Sequence, residues 1–162
     1  MKYFAILLFF LPFFAAAQTV HVEDERVVYR ERITVNGAGL DHLFRRAHET
    51  MNALTGSSGI KEEKDKLTSK GVIRLSSTHS LRNRLRYQLS IEVHEDSYEY
   101  RIDSVAWVTD ARGKKLVITP SEKLVADMEI TGPTAARTEK QLNEMDMRLQ
   151  KLIVQLKKLM SL

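Results

Sequence analysis

The sequence lacks cysteine entirely, so no disulfide bond can stabilise the fold and no lipoprotein anchor can be attached. A chain of 162 residues is long enough for one domain, whose stability must then come from its own apolar core. A strong excess of one charge is also missing, because 25 basic residues are interleaved with 21 acidic ones. That mixture argues against a nucleic-acid partner, which requires basic side chains gathered on one face.

Residues 1–17 predict a secretory signal peptide. Lys2 supplies the positive charge, Tyr3 to Phe14 is almost wholly apolar, and the alanines at 15–17 are the small residues that a signal peptidase recognises. The apolar run is shorter than the roughly 20 residues of a transmembrane helix, so no membrane span is expected after cleavage before Gln18. We therefore expect a soluble protein, exported by a cleaved Sec-type signal to the periplasm or the extracellular space, and not a lipoprotein.

The residues after the signal predict a flexible lead-in at 18–26 and a single α+β domain at 27–162. Between Val27 and Val35, β-branched residues predict a first strand, and from Leu40 to Leu54 apolar residues recur at the spacing of an amphipathic helix. A short, charged edge strand and a longer strand are expected between this helix and residue 77.

Two further strands, Arg84–His94 and Tyr98–Thr109, predict the centre of the sheet, because apolar and polar residues alternate along both. A tight turn between them puts three apolar pairs on one face: Val93 with Tyr98, Ile91 with Tyr100 and Leu89 with Ile102. The alternation slips after Asp103, where Val105 and Trp107 fall on the polar parity. A bulge or the end of the strand is expected there.

The last part of the sequence predicts a long helix at about 133–160, whose apolar stripe includes Leu142, Leu149 and Leu156. The stripe has two interpretations, packing on the sheet or self-association with a second copy.

For residues 110–132, "KKLVIT" and "SEKLVADM" are compatible with one more strand and a short helix, but the sequence does not fix either element. The predicted order is β-α-β-β-β-β-α, an antiparallel sheet with two helices on one face and the other face open.

Three segments resemble a known family of exported bacterial domains of unknown function. "ITVNGAGLDHLFRRAHETM" resembles its opening strand and helix, "YQLSIEVHEDSYEYRIDSV" its central hairpin, and "LNEMDMRLQKLIVQLKKLM" its terminal helix. This family has a TBP-like fold, one half of a TATA-binding-protein-type saddle, and carries no established activity. The resemblance implies an architecture and adds no reaction.

Catalytic residues, metal sites and cofactors are not predicted. His42 and His48 are six residues apart and lie on different faces of their helix, unlike the paired histidines of a zinc site. The hydroxyls of "SSTHS" at Ser76–Ser80 lack the strained turn of a hydrolase nucleophile, so a hydrolase is the least favoured function. Glu92 opposite Glu99 could imitate an acid–base pair, but such a pair also suits a wet surface.

The remaining candidate is the sheet surface formed by the polar parity of the strands. Its predicted binding residues are Arg74, Arg84, Arg86, Arg101, Glu92 and Glu99. Arginine offers rigid bidentate donors to carboxylates and phosphates, so the leading hypothesis is a non-enzymatic domain that binds an envelope protein or an anionic glycan. Three alternatives stay open: an ordinary solvated face, a carrier of small apolar ligands with a cleft between sheet and helices, and a homodimer formed through the C-terminal helix.

Overall fold

A computed structural model describes residues 21–56, 59–77, 81–111 and 116–161, so the predicted signal peptide lies outside the described residues. The strands are β1 (Val22–Glu23), β2 (Arg26–Val27), β3 (Tyr29–Thr34), β4 (Lys61–Glu63), β5 (Lys66–Ser77), β6 (Leu81–His94), β7 (Ser97–Ala111) and β8 (Val117–Pro120). The helices are α1 (Leu40–Thr55), α2 (Ser121–Met128) and α3 (Pro133–Ser161).

Six of these strands form one antiparallel sheet in the order β3-β7-β6-β5-β4, with β8 also beside β7. β3 pairs with the first half of β7 and β8 with its second half, so both lie on the same side of that strand. β1 and β2 pair with each other. The long β6–β7 hairpin is therefore the frame on which the other elements are arranged.

One face of the sheet is apolar, and α1 and α3 pack on it. Leu43 and Met51 of α1 and Leu149 of α3 join one buried cluster with sheet residues such as Leu89 and Ile102. Burial of this apolar surface is the main favourable contribution to folding. The opposite sheet face, which carries the alternate side chains, is termed the open face. The structure confirms the predicted α+β class, an antiparallel sheet with helices on one face.

The β6–β7 hairpin has the register that the alternation predicts. Val93 pairs with Tyr98, Ile91 with Tyr100 and Leu89 with Ile102, as predicted for the core face. The register then shifts between Arg86 and Gln88, where Tyr87 faces two residues of β7, and Ser104 has a positive φ of 51°. This is the expected bulge. It returns Val105 and Trp107 to the core, where they are 1% and 5% exposed.

The apolar stripe of α3 belongs to the core. Leu142, Leu149 and Leu156 are at most 1% exposed and lie in the cluster that covers the sheet. The prediction of self-association through these three leucines does not fit this structure, because a second copy could reach them only if α3 left the sheet. The packing interpretation of the heptad pattern accounts for the helix.

The predicted flexible lead-in at 18–26 differs from the structure wherever the structure describes it. β1 and β2 form a small hairpin whose turn residues, Asp24 and Glu25, both have positive φ. The Val28 N–H also donates to the His21 carbonyl oxygen at 3.1 Å. The sequence signal is weak because the hairpin is too short for an alternating pattern, and the turn uses acidic residues instead of glycine.

The segment between the hairpin and the last helix contains both elements that its sequence allowed. β8 comes from "KKLVIT" and α2 from "SEKLVADM", and Leu124 anchors α2 with 3% of its surface exposed. The Val27 N–H lies 3.4 Å from the Ser121 hydroxyl oxygen, which joins β2 to the start of α2. The predicted order therefore omitted the β1–β2 hairpin, β8 and α2.

A buried polar contact connects the edge of the sheet to α3. The Tyr29 hydroxyl donates to the Asp146 carboxylate, and both residues are at most 5% exposed. Burial, followed by this hydrogen bond, raises the pKa of Tyr29 well above its usual range. Within the described ranges, no helix has the length and apolarity that spanning a membrane requires.

Candidate functional site

The open face carries an excess of basic side chains. The strand registers place on it Arg30, Arg32, Lys61, Lys66, Lys70, Arg74, Arg82, Arg84, Arg86 and Arg101. The acidic residues on the same face are Glu63, Glu92, Glu99, Asp103 and Asp110. The even mixture of charges along the sequence thus conceals a basic face, because period-two alternation sends the basic residues of several strands to the same side.

Charges of both signs are present at the hairpin end of the open face, near the β6–β7 turn. Glu92 and Glu99 lie opposite each other on the two central strands. Lys66 pairs with Glu92 on one side, and Arg32 pairs with Glu99 on the other. Glu63 of β4 also pairs with Lys66, so one row across the sheet holds three carboxylates and two cations. Each cation of this row has a carboxylate beside it, as is common on solvated sheet faces.

The far end of the open face, beyond the β7 bulge, holds a pocket of about 340 Å³. This arginine pocket is lined by Arg74, Leu75, Arg82, Asn83, Arg84 and Asp110. A shift in the β5–β6 register between Arg74 and Ser77 lies beside it. Bulges of this kind bend a strand and re-aim its side chains, and here the irregularity coincides with the concave part of the face.

The arginine pocket holds more donors than acceptors. Asp110 is the one carboxylate in its lining, and its Oδ2 lies 3.4 Å from Arg84 Nη2. Within the described ranges, Arg74 and Arg82 have no carboxylate oxygen within 4.0 Å, and the buried Arg84 Nε has no hydrogen-bond partner. Three guanidinium groups around one carboxylate leave cationic donors available for an anion.

Apolar side chains lie on the open face near the arginine pocket, outside its lining. Val72 faces Arg86 across β5 and β6, and 56% of its surface is exposed. Ile118 of β8 pairs with the fully buried Val108 and is 47% exposed. Exposed aliphatic side chains next to arginines are typical of protein-binding surfaces, although single exposed residues are also common on ordinary surfaces.

The structure places the six predicted binding residues at two separate ends of the open face. Those at the far end are Arg74, Arg84 and Arg86. Those at the hairpin end are Arg101, Glu92 and Glu99. Arg101 Nε donates to Asp103 Oδ2 at 2.8 Å, so this arginine already has an anionic partner. Arg74 and Arg84 line the arginine pocket, which is the candidate site, whereas Arg86 lies one pair of residues outside its lining and the hairpin-end residues are not part of it.

Two residues of the arginine pocket were missed by the sequence analysis. Arg82 shares the parity of Arg84 and could have been included by extending β6 by two residues. Asp110 reaches the open face only because the bulge at Ser104 shifts the parity of β7, a shift whose position the sequence did not fix. Trp107, which would strengthen a binding surface, lies instead on the helix-covered side of the sheet.

A groove between the sheet and the end of α3 is the feature closest to the predicted apolar cleft. It measures about 370 Å³ and is lined mainly by Ile33, Val35 and Tyr98, with Lys157 at its rim. The Lys157 ammonium donates to Glu31 at 2.6 Å, and this hydrogen bond lowers the pKa of the Glu31 carboxyl. The groove lies at the surface, at the opposite end of the molecule from the arginine pocket.

Side chains suited to metal binding do not converge in the described ranges, where no group of three or more His, Asp or Glu could hold an ion. His48 Nδ1 lies 3.2 Å from the Asn52 amide nitrogen on the same helix. His79 and most of "SSTHS" lie outside the described residues, and the side chains of Ser76 and Ser77 are likewise not described.

Comparison with known proteins identifies the architecture. A TBP-like protein from Parabacteroides distasonis ATCC 8503 superimposes with a TM-score of 0.71 at 11% identity, covering 87% of this chain and 96% of that one. A DUF4468 family protein from Bacteroides ovatus ATCC 8483 superimposes with a TM-score of 0.63 at 11% identity, covering 88% and 91%. No protein-family model and no curated protein matches the sequence. The sheet, its covering helices and these two likenesses together confirm that the chain has a TBP-like fold.

Proposed function

We propose that this chain is a non-enzymatic, exported binding domain that engages an acidic segment of an envelope protein through the arginine pocket. The observation that carries the proposal is the arrangement of Arg74, Arg82 and Arg84 around the single carboxylate of Asp110. The sequence of residues 1–17 supports export. Export also separates the basic open face from nucleic acid.

The chemistry of arginine suits this role. A guanidinium group presents its donors in a planar fork that matches both oxygens of a carboxylate, and it is more weakly hydrated than an ammonium. An Asp or Glu side chain that enters the pocket can compete with Asp110 for Arg84 while Arg74 and Arg82 remain available. The ion pair between Arg84 and Asp110 keeps the Arg84 side chain oriented until the partner binds.

The apolar side chains near the pocket favour a protein partner over an anionic glycan. Val72 and Ile118 present aliphatic surface near the pocket, and a polypeptide can cover it with its own apolar side chains. A uronate or sulfate polymer offers little apolar surface for the same contact. The proposed partner therefore carries acidic residues next to apolar ones.

Photo-crosslinking in cells that export the chain tests the proposal. A photoreactive amino acid replaces Arg86 on the open face in one variant and Lys64 in another. Lys64 is a suitable control because it lies in the β4–β5 turn with a 91% exposed side chain. We expect the Arg86 position, and not the Lys64 position, to capture one protein.

Charge-reversed variants test whether capture depends on the arginine pocket. Arg74→Glu combined with Arg82→Glu should abolish capture at Arg86, whereas Lys151→Glu combined with Lys158→Glu on exposed sites of α3 makes the same change in net charge and should preserve it. Capture of a glycan would contradict the choice of a protein partner. If capture survives the charge reversal of both arginines, or is equal at positions 86 and 64, the arginine pocket is not the binding site.

A carrier of small apolar ligands is the second candidate, favoured by the groove lined by Ile33, Val35 and Tyr98. Native mass spectrometry of the purified protein distinguishes the two. A carrier retains an added mass that organic extraction removes, whereas the proposed binding domain has the mass of the polypeptide alone.

A further inference from the structure

A cleft on the helix-covered side of the sheet is distinct from the arginine pocket. Two adjoining pockets of about 240 and 280 Å³ lie between the far end of the sheet and the first turns of α3. Both are lined by Trp107, Thr109, Arg137 and Gln141, so together they form one cleft, termed the tryptophan cleft. α2 closes one side of it through Lys123 and Leu124.

Hydrogen-bond donors are in excess in the tryptophan cleft. Trp107 is only 5% exposed, and its buried indole N–H has no acceptor in the part of the chain that the structure describes. Unpaired buried donors are rare in folded proteins because they lose their bond to water and gain nothing in return. The Thr109 hydroxyl donates to Asn83 Oδ1 at 3.1 Å, so this amide oxygen, in the lining of one of the two pockets, already has a donor.

Cations at the rim make the tryptophan cleft attractive to an anion. Lys123, Arg137 and Lys140 line it, and none of them has a carboxylate oxygen within 4.0 Å in the described ranges. Two carboxylates, Asp127 and Glu144, are also present, so the local charge is positive but modest.

The helix end adds to this preference. Glu144 lies 3.6 Å from Arg148 Nη2 and is thereby partly neutralised. Thr134 and Thr138 line the cleft, so it lies beside the first turns of α3, where the helix dipole favours negative charge. Indole, guanidinium, ammonium and helix end thus all favour an acceptor with negative charge.

We propose that the tryptophan cleft binds a small organic anion that carries a carboxylate. Arg137 holds the carboxylate, and one of its oxygens accepts the Trp107 indole N–H. Because the indole nitrogen is covered in this structure, the ligand must displace neighbouring side chains of the cleft lining to reach it. The site shares only Asn83 with the lining of the arginine pocket, and it does not require the partner proposed for the open face.

The chain contains a single tryptophan, so its indole signals report on this cleft alone. The test is a titration of the purified protein with glucuronate, succinate and glucose, followed by the indole cross-peak in a ¹H–¹⁵N spectrum and by tryptophan fluorescence. We expect a saturable shift with a carboxylate and none with glucose, at a Kd in the range of about 0.1 to 10 mM. A preference for glucuronate identifies an acidic sugar, and a preference for succinate identifies a simple organic acid.

Arg137→Gln should weaken binding by about tenfold or more, whereas Lys151→Gln, at an exposed site further along α3, should leave it unchanged. Both substitutions are at exposed positions, so circular dichroism should show two folded variants. The proposal is overturned if neither acid shifts the indole signal up to about 10 mM, if glucose shifts it equally, or if Arg137→Gln binds as the native protein does.

Discussion

Gly71 and Tyr87 face each other across β5 and β6, and the aromatic ring occupies the space that a side chain at position 71 would need. A Cβ built on Gly71 overlaps the ring and hydroxyl of Tyr87. The ring is 2% exposed and its hydroxyl lies 3.4 Å from the Leu54 carbonyl oxygen at the end of α1. The glycine is therefore needed for space rather than for backbone conformation.

Gly71→Ala should destabilise the domain by about 1–3 kcal/mol, because the ring must leave its position or the strands must separate. Urea unfolding should show a lower midpoint with an unchanged slope. In a Tyr87→Leu background the same substitution should cost much less, since the smaller side chain leaves room for a methyl group. Equal costs in both backgrounds would mean that the ring is not the obstacle.

For individual residues, the sequence predicts pairs beside a tight turn better than pairs between strands whose connection is longer. Val93 and Tyr98 are joined by a short turn, so alternation alone sets their register. Gly71 and Tyr87 are separated by a segment whose length does not fix a register, and nothing in their identities reveals that one lies over the other. Arg82 and Asp110 were missed for related reasons. The place of Arg82 in the sheet depends on where β6 begins, and the face on which Asp110 lies depends on where β7 changes parity.

Among the elements, α3 provides the clearest test of whether an apolar stripe belongs to the core or to an interface with a second copy. Leu149 is fully buried under the sheet, whereas Val154 on the same helix is 66% exposed. Both are aliphatic residues in the helix interior, so they form a matched pair for the introduction of a charge.

Leu149→Asp should unfold the domain, because it removes a core side chain and buries a charge, changes that together cost more than about 4 kcal/mol. Val154→Asp should remain folded, with a loss of less than about 1 kcal/mol. Circular dichroism and light scattering measure the outcome. A folded monomeric Leu149→Asp variant would instead support a dimer formed through the stripe.

The sequence predicts the long elements and the short edge strand β4, but it does not fix the other short strands. α1, α3 and the central hairpin each have enough residues for a periodic pattern, and their bounds agree with the structure to within a few residues. β1, β2 and β8 span two to four residues each, which is too short for periodicity to be recognised. Their places are set by tertiary contacts, such as the pairing of β8 with β7.

For the whole molecule, the tyrosines determine how the fold responds to alkali. Burial raises the pKa of Tyr87 and of Tyr98 to about 12. Burial also raises the pKa of Tyr29 and Tyr100, with further contributions from hydrogen bonds to Asp146 and Glu31 respectively. These are all the tyrosines of the described ranges, and each is at most 5% exposed.

Each tyrosine contributes stability that is fully present below its unfolded pKa of about 10 and is lost as the pH rises towards the higher folded pKa. The cost is about 1.4 kcal/mol per group for each pH unit in that window, so four tyrosines together approach the whole stability of a small domain. We expect cooperative unfolding between about pH 10 and pH 12.

Tyrosinate absorbance and circular dichroism should therefore change together, and Tyr87→Phe should make the loss of stability with pH less steep. Gradual ionisation near pH 10 with an unchanged dichroism spectrum would mean that the rings are accessible in the folded state.

At the same scale, alternation predicts that one sheet face is polar but not where it is concave. The arginine pocket depends on a strand irregularity, and the tryptophan cleft depends on the placement of α2 and α3, whose approach to the sheet follows from packing. Both proposed sites lie in such concavities, which depend on irregularities and packing that the alternation of the strands does not encode.

The extra residue in β7 also determines which changes of length the strand tolerates. The side-chain parity of β7 changes at Ser104, so the orientation of every side chain from Val105 to Asp110 depends on this one residue. A further insertion or deletion in that stretch would exchange Trp107 with Val108 and move Asp110 out of the arginine pocket. A substitution in this stretch changes one side chain, whereas a change of length would move the side chains of this half of β7 to the opposite face of the sheet.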